Sequence, residues 1–109
     1  MFDQLDQLTT ELEACFASME VDCFDAARAA RLVSSGERVR RLGDAIRTIG
    51  VGQVERTNGW KGQGAKSISE WLSIETDCAH YEAQSVVVLA GQLQHLPVTQ
   101  AALRSGTLS

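Results

Sequence analysis

The residues of this chain best suited to acid–base or metal chemistry are its only two histidines, His80 and His95. They lie fifteen positions apart in one predicted helix, which separates them by about two dozen ångströms along the helix axis. Cys78 and His80 are two positions apart and point to different faces of a helix, so they make a poor zinc pair. HExxH, nucleophile-elbow and paired-carboxylate motifs are absent from the sequence. We therefore expect no enzyme active site, no metal and no cofactor.

The amino terminus and the cysteines favour a cytoplasmic protein. Met1-Phe2-Asp3-Gln4 is acidic, unlike a signal peptide, and no apolar stretch has the length of a membrane span. The three cysteines, Cys15, Cys23 and Cys78, are an odd number in a chain without an export signal. We expect reduced and mostly buried thiols, a cytoplasmic location and no membrane association.

The formal net charge of −4 disfavours nonspecific binding to nucleic acid, but the charges are unevenly distributed. Every charged residue before Arg28 is acidic, whereas the segment from Arg28 to Arg47 carries six arginines against Glu37 and Asp44. One interpretation is that an acidic helix and a basic helix lie side by side. The other is that the arginine-rich helix offers a nucleic-acid surface.

Apolar residues at spacings of three and four predict a first amphipathic helix from Phe2 to Met19. Asp22 or Asp25 is placed to cap a second, long helix that continues to about Glu55. Ser34-Ser35-Gly36 is a candidate kink in that helix.

A glycine-rich loop at 57–66 separates these helices from a differently organised carboxyl-terminal part. Ser67 and Glu70 form a capping-box pattern before a short helix, and a longer helix follows and ends at Leu96-Pro97. A last helix closes at Gly106. Helix, tight turn and longer helix are the layout of a helix-turn-helix unit.

These elements predict an all-α protein, a multi-helix bundle with a C-terminal helix-turn-helix-like unit. The length of 109 residues suits one domain, covering 1–109. Its parts are the N-terminal helices at 1–56, the Gly-rich loop at 57–66 and the helix-turn-helix-like part at 67–109. We expect this domain to be truncated relative to a longer parent protein.

Seven short motifs follow one another along the C-terminal part. They are Gly64-Ala65-Lys66-Ser67, Trp71-Leu72, Glu82-Ala83, Leu89-Ala90, Leu96-Pro97, Ala101-Ala102-Leu103 and Gly106-Thr107-Leu108-Ser109. This series resembles an actinobacterial family to which the mycobacterial repeat-element proteins belong. Members carry a helical N-terminal domain of unknown function, usually followed by an HNH endonuclease core. The end of the series is also similar, more weakly, to the helix-turn-helix of ParB-type partition proteins.

The resemblance implies a DNA-handling context without nuclease activity in this chain, because the residues of an HNH core are absent from it. Family members usually carry arginines on the helix after the turn, where this chain has Gln84 and Gln92, which can contact base edges. The family's usual serine at the start of that helix is Ala79 here, with Asp77 as the candidate substitute cap.

The leading hypothesis is a non-catalytic accessory domain that assists DNA binding or targeting of an HNH-endonuclease-like protein. The candidate phosphate-contacting residues are Arg38, Arg40, Arg41, Lys61 and Lys66. The alternative is a helical dimerisation or protein-interaction module without direct DNA contact, whose partner would be a second copy or a nuclease domain. The acidic first helix and the apolar Val88 face motivate this alternative.

Overall fold

The computed structural model of this protein describes residues 1–93 and 104, and within them the fold is all-α, as predicted. The helices are α1 (Phe2–Ala17), α2 (Ala26–Thr57), α3 (Ile68–Thr76) and α4 (His80–Leu93), with a short 3₁₀ turn at Val21–Cys23. None of these helices combines the length and apolar character needed to cross a bilayer. The predicted end of the long helix at Leu96-Pro97, its His95 and the last helix closing at Gly106 lie outside the described residues.

The chain divides into two compact units, Met1–Ser35 and Gly36–Ser109, with the division inside α2. The predicted single domain over 1–109, with its parts at 1–56, 57–66 and 67–109, stays a prediction. The side-by-side arrangement expected for the acidic and basic helices also stays a prediction.

The first unit contains α1, which forms where the amphipathic pattern predicted it but buries no residue. Asp25 caps the start of α2, because its Oδ1 accepts a hydrogen bond of 2.8 Å from the backbone N–H of Arg28. This confirms one of the two predicted caps. An N-cap of this kind satisfies one of the free N–H groups at the beginning of the helix.

The helical residues of α2 continue without a break through Ser34-Ser35-Gly36. Ion pairs on the helix surface follow the glycine directly: Arg40 contacts Glu37 at 2.6 Å and Asp44 at 2.8 Å. Ion pairs between residues three or four apart stabilise a helix. In α2 they directly follow serine and glycine residues, which have low helix propensity. The helix ends at Thr57, two residues beyond the predicted Glu55.

The core of the second unit forms where α3 and α4 meet the C-terminal half of α2. The buried cluster consists of Val51, Ile68, Leu72, Ala83, Val86 and Ala90. Trp60 and Trp71 pack against it, so Trp60 attaches the loop to the core. A second cluster joins Ala45 and Leu93. The face of α4 that carries Ala83, Val86 and Ala90 is therefore the face that the core buries.

Candidate nucleic-acid interface

The start of α3 is fixed by the serine cap that the sequence predicted. The Oγ of Ser67 accepts a hydrogen bond of 3.1 Å from the backbone N–H of Glu70. The returning bond of a complete capping box, from the N–H of Ser67 to the Glu70 carboxylate, is not among the hydrogen bonds of the described residues. The cap holds the first turn of α3 directly after Lys66, whose side chain is exposed.

The turn between α3 and α4 contains only residues 77–79. Asp77 ends α3 in the left-handed conformation, with φ 53° and ψ 37°. The Ser73 hydroxyl donates a hydrogen bond of 2.6 Å to the carbonyl of Cys78 and so ties the turn to α3. The carbonyl of Ala79 accepts the first backbone bond of α4, from Ala83 at 3.0 Å.

Asp77 does not replace the missing serine cap of α4, and that prediction is wrong. Its backbone forms the C-cap of α3, and within the described residues its carboxylate accepts no hydrogen bond from α4. The left-handed conformation at Asp77 lets the chain reverse within three residues. The first N–H groups of α4 therefore have no side-chain cap from Asp77.

Helix α4 has one buried face and one exposed face. Ala83, Val86, Ala90 and Leu93 are buried. Gln84 and Gln92 are exposed, and Val88 lies between them and is also exposed. Residues four apart lie on the same side of a helix, so these three side chains form one solvent-facing strip. The strip has no formal charge and offers two side-chain amides.

The one carboxylate of α4, Glu82, lies close to an arginine of α2. Its Oε1 is 3.5 Å from Nη2 of Arg47, which is also 3.6 Å from the Asp44 carboxylate. Glu82 stands in the first turn of its helix, where a negative charge is also favoured by the helix dipole. The pairing partly neutralises the negative charge of α4.

Two of the three predicted phosphate-contacting arginines on α2 are engaged by acidic neighbours. Arg40 forms bidentate hydrogen bonds to Glu37, which hold the pKa of that carboxyl below its ordinary value and raise the pKa of the guanidinium. The Nε of Arg41 is 3.9 Å from the same carboxylate and forms no hydrogen bond. Arg38 is exposed and has no ion pair with the described residues.

Lys61 and Lys66 are exposed on the ordered turns between α2 and α3. Gly62 and Gly64 adopt positive φ values of 83° and 84°, as expected for glycines that reverse the backbone. The Lys61 ammonium lies 5.8 Å from the ring centroid of Trp60. Because Trp60 packs on the core, this contact restricts where the ammonium can move.

The side chain of Gln63 connects the loop to α3 by a hydrogen bond. The side-chain amide of Gln63 accepts a hydrogen bond of 3.1 Å from the indole N–H of Trp71 and donates one of 2.8 Å to the carbonyl of Gly59. Gln63, which lies between the two lysines, is thereby hydrogen-bonded both to the turn after α2 and to α3.

The predicted cationic residues form two groups and do not make a single patch. Arg41 and Thr57 are 16 positions apart in α2, which corresponds to about 24 Å along the helix axis. The arginines therefore lie near one end of the α2 segment in the second unit, and the loop that carries the lysines begins at its other end.

The burial of the cysteines differs from expectation. Cys15 and Cys23 are exposed and Cys78 is partly buried, with all three thiols free, so the prediction of mostly buried thiols is wrong. Cys15 is exposed because it lies on α1, which buries no residue. No cluster of potential metal ligands occurs in the part of the chain that the structure describes.

The described residues thus define an all-α protein with a packed pair of C-terminal helices and a loop that presents two lysines. Comparison with protein-family models, curated proteins and solved structures finds no match for this chain.

Proposed function

We propose that this chain is a non-catalytic helical accessory domain of the HNH-endonuclease-associated type and that it contacts DNA through α3 and α4. The observation that carries the proposal is the exposed amide strip of α4, which lies opposite the core face of that helix. A short helix, a three-residue turn and a longer helix with a polar exposed face suit insertion of the second helix into a major groove.

In this arrangement Gln84 and Gln92 contact base edges. They lie eight residues apart, about 12 Å along the helix axis, which corresponds to three or four base pairs at about 3.4 Å each. A side-chain amide can donate from its NH₂ to N7 of adenine and accept with its oxygen from N6–H, so adenine is the preferred partner of Gln in the major groove. Val88 between them suits contact with a thymine methyl group.

Phosphate contacts come from the exposed cations. Lys66 precedes the N-terminus of α3, whose free backbone N–H groups also favour an anion, and Lys61 is held beside Trp60. Arg38 is the arginine of the α2 group that has no ion pair with the described residues. Three such contacts give an expected slope of about −3 for log K against log salt concentration.

Neutralising the two loop lysines is expected to remove most of the binding to DNA. The double variant Lys61→Gln/Lys66→Gln should bind a fluorescent 20-base-pair duplex on the order of 100-fold more weakly at about 50 mM salt, with a salt slope smaller by about 2. Fluorescence anisotropy over a salt series measures both quantities.

The matched control is Arg28→Gln/Arg31→Gln, which removes the same charge from the first unit and should leave the salt slope unchanged. Equal losses for the two double variants would mean that binding follows net charge alone. Binding by the unmodified chain that does not change with salt would contradict phosphate contact altogether.

Glu37→Gln is expected to strengthen DNA binding several-fold, because it releases Arg40 from its bidentate partner. Arg40 keeps a contact of 2.8 Å with Asp44, so the release is partial. The same anisotropy titration measures the gain, and the salt slope should steepen by up to about 1.

Glu13→Gln, which removes an equal charge from α1, is the control and should show no such gain. If both substitutions strengthen binding equally, the release of Arg40 is not the cause.

A further inference from the structure

Helix α1 carries an uncovered apolar seam with the spacing of a coiled-coil strand. Five apolar residues of α1 and the turn after it follow one another at alternating spacings of three and four: Leu5, Leu8, Leu12, Cys15 and Met19. These are the a and d positions of a heptad repeat, the positions that face a partner helix. Two aromatic residues, Phe2 and Phe16, flank the seam.

The first unit leaves this seam largely open to solvent. Phe2 is 72% exposed and Phe16 is 68% exposed, and Leu8 and Leu12 are also exposed. A helix of 16 residues gains little stability from intrinsic propensity and normally depends on burial of its apolar face. The seam therefore has the properties of a surface that a partner covers.

The charge around the seam identifies the chemistry of that partner. Residues 1–35 contain seven carboxylates and two arginines, a formal net charge of −5, and no cation precedes Arg28. Glu11 lies on the helix between Leu8 and Leu12 in sequence, beside the seam. Within the described residues, none of the carboxylates of α1 forms an ion pair.

Pairing of α1 with α1 of a second copy would bring carboxylates together without any cation. Two closely packed helices of the same net charge repel each other, whereas a helix of opposite charge is attracted and so is selected as a partner. The four carboxylates of α1 are Asp3, Asp6, Glu11 and Glu13, of which Glu11 lies at a flanking position, and α1 carries no cation. The helix therefore fits a basic partner helix.

We propose that the α1 seam docks a basic amphipathic helix of a partner protein, with apolar residues at its a and d positions and Lys or Arg on its flanks. The apolar residues of the partner cover Leu5, Leu8 and Leu12, and its cations lie against the carboxylates of α1. This docking surface is separate from the residues proposed to contact DNA and does not depend on them.

The experiment uses the full chain and a fluorescent synthetic peptide of three heptads, with Leu at a and d and Lys or Arg at e and g. A matched peptide has Glu at e and g. We expect micromolar binding of the basic peptide, weakening as salt rises, and at least 10-fold weaker binding of the acidic peptide. Sedimentation equilibrium of the chain without peptide should show a monomer.

Variants of the chain test the seam itself. Leu8→Gln/Leu12→Gln should weaken binding of the basic peptide at least 10-fold, whereas Thr10→Gln/Ala14→Gln, on the other side of α1, should not change it. None of these residues is buried, so circular dichroism and thermal unfolding should be similar for both variants and the unmodified chain.

Equal binding of the two peptides, no binding of the basic one, or equal effects of the two double variants would overturn the proposal. A dimer of the chain that disappears in Leu8→Gln/Leu12→Gln would assign the seam to a second copy and would also overturn it. Loss of DNA binding in the lysine variants has no bearing on any of these outcomes.

Discussion

Leu72→Ala is expected to lower the free energy of unfolding by about 3 kcal/mol. Leu72 is only 2% exposed and lies in the cluster that joins α3 to α4 and to Val51 of α2. Truncation removes apolar contacts and leaves a cavity that the neighbouring side chains fill only in part. For a small domain this is a large share of a total stability of roughly 5–15 kcal/mol.

Urea unfolding followed by circular dichroism measures this loss, and Ile74→Ala on the same helix is the control. Ile74 is 65% exposed, so its truncation should change stability by less than about 0.5 kcal/mol. Similar losses for the two variants would mean that α3 does not pack on the core through Leu72.

The helices could be predicted from the sequence because their signals are local. The spacing of apolar residues predicts α1, and the structure places this helix at Phe2–Ala17. The Ser67 cap and the Asp25 cap follow from residue types that accept hydrogen bonds from the next backbone N–H groups. Each of these interactions spans three or four residues, so one stretch of sequence contains both partners.

Burial could not be predicted in the same way, as α1 shows. Its apolar periodicity identifies which side of the helix avoids water, but it does not state whether the same chain supplies the residues that cover that side. Cys15 belongs to this apolar pattern and is exposed. Residue types and their spacing were sufficient to predict the helix α1, but they were not sufficient to predict which of its side chains are buried.

The charged residues show the same distinction between local and distant partners. The pairing of Arg40 with Glu37 and Asp44 was present in the sequence as spacings of three and four, although the arginines were interpreted as available for DNA. The contact between Arg47 and Glu82 joins residues 35 positions apart and depends on how α4 meets α2. No local pattern contains that contact.

These two kinds of ion pair affect the DNA proposal in opposite directions. The pairs within α2 occupy guanidinium groups that would otherwise contact phosphates. Among the described residues, this leaves Arg38 as the arginine of that group without an ion pair. The pair between Arg47 and Glu82 removes repulsion from the helix proposed to enter the groove. Phosphate contact consequently depends more on the loop lysines than the arginine-rich sequence suggested.

The turn between α3 and α4 offers the largest expected gain in stability. Asp77→Gly should relieve the cost of a left-handed conformation at a residue with a Cβ, about 0.5–1 kcal/mol. Ala79→Ser should add a side-chain acceptor for the first N–H groups of α4, about 1 kcal/mol. Both residues are exposed, so neither substitution disturbs the core.

The double variant Asp77→Gly/Ala79→Ser is therefore expected to gain about 1.5–2 kcal/mol in urea unfolding. The positions are two residues apart, so both single variants are measured as well, and the double-mutant cycle gives their coupling. Asp77→Ala separates conformation from charge: it removes the carboxylate but keeps the Cβ, and it should bring no gain. Ala79→Val, which lacks a hydroxyl, should likewise bring none. A gain in Asp77→Ala equal to that in Asp77→Gly would show that relief of charge repulsion, and not backbone strain, governs this turn.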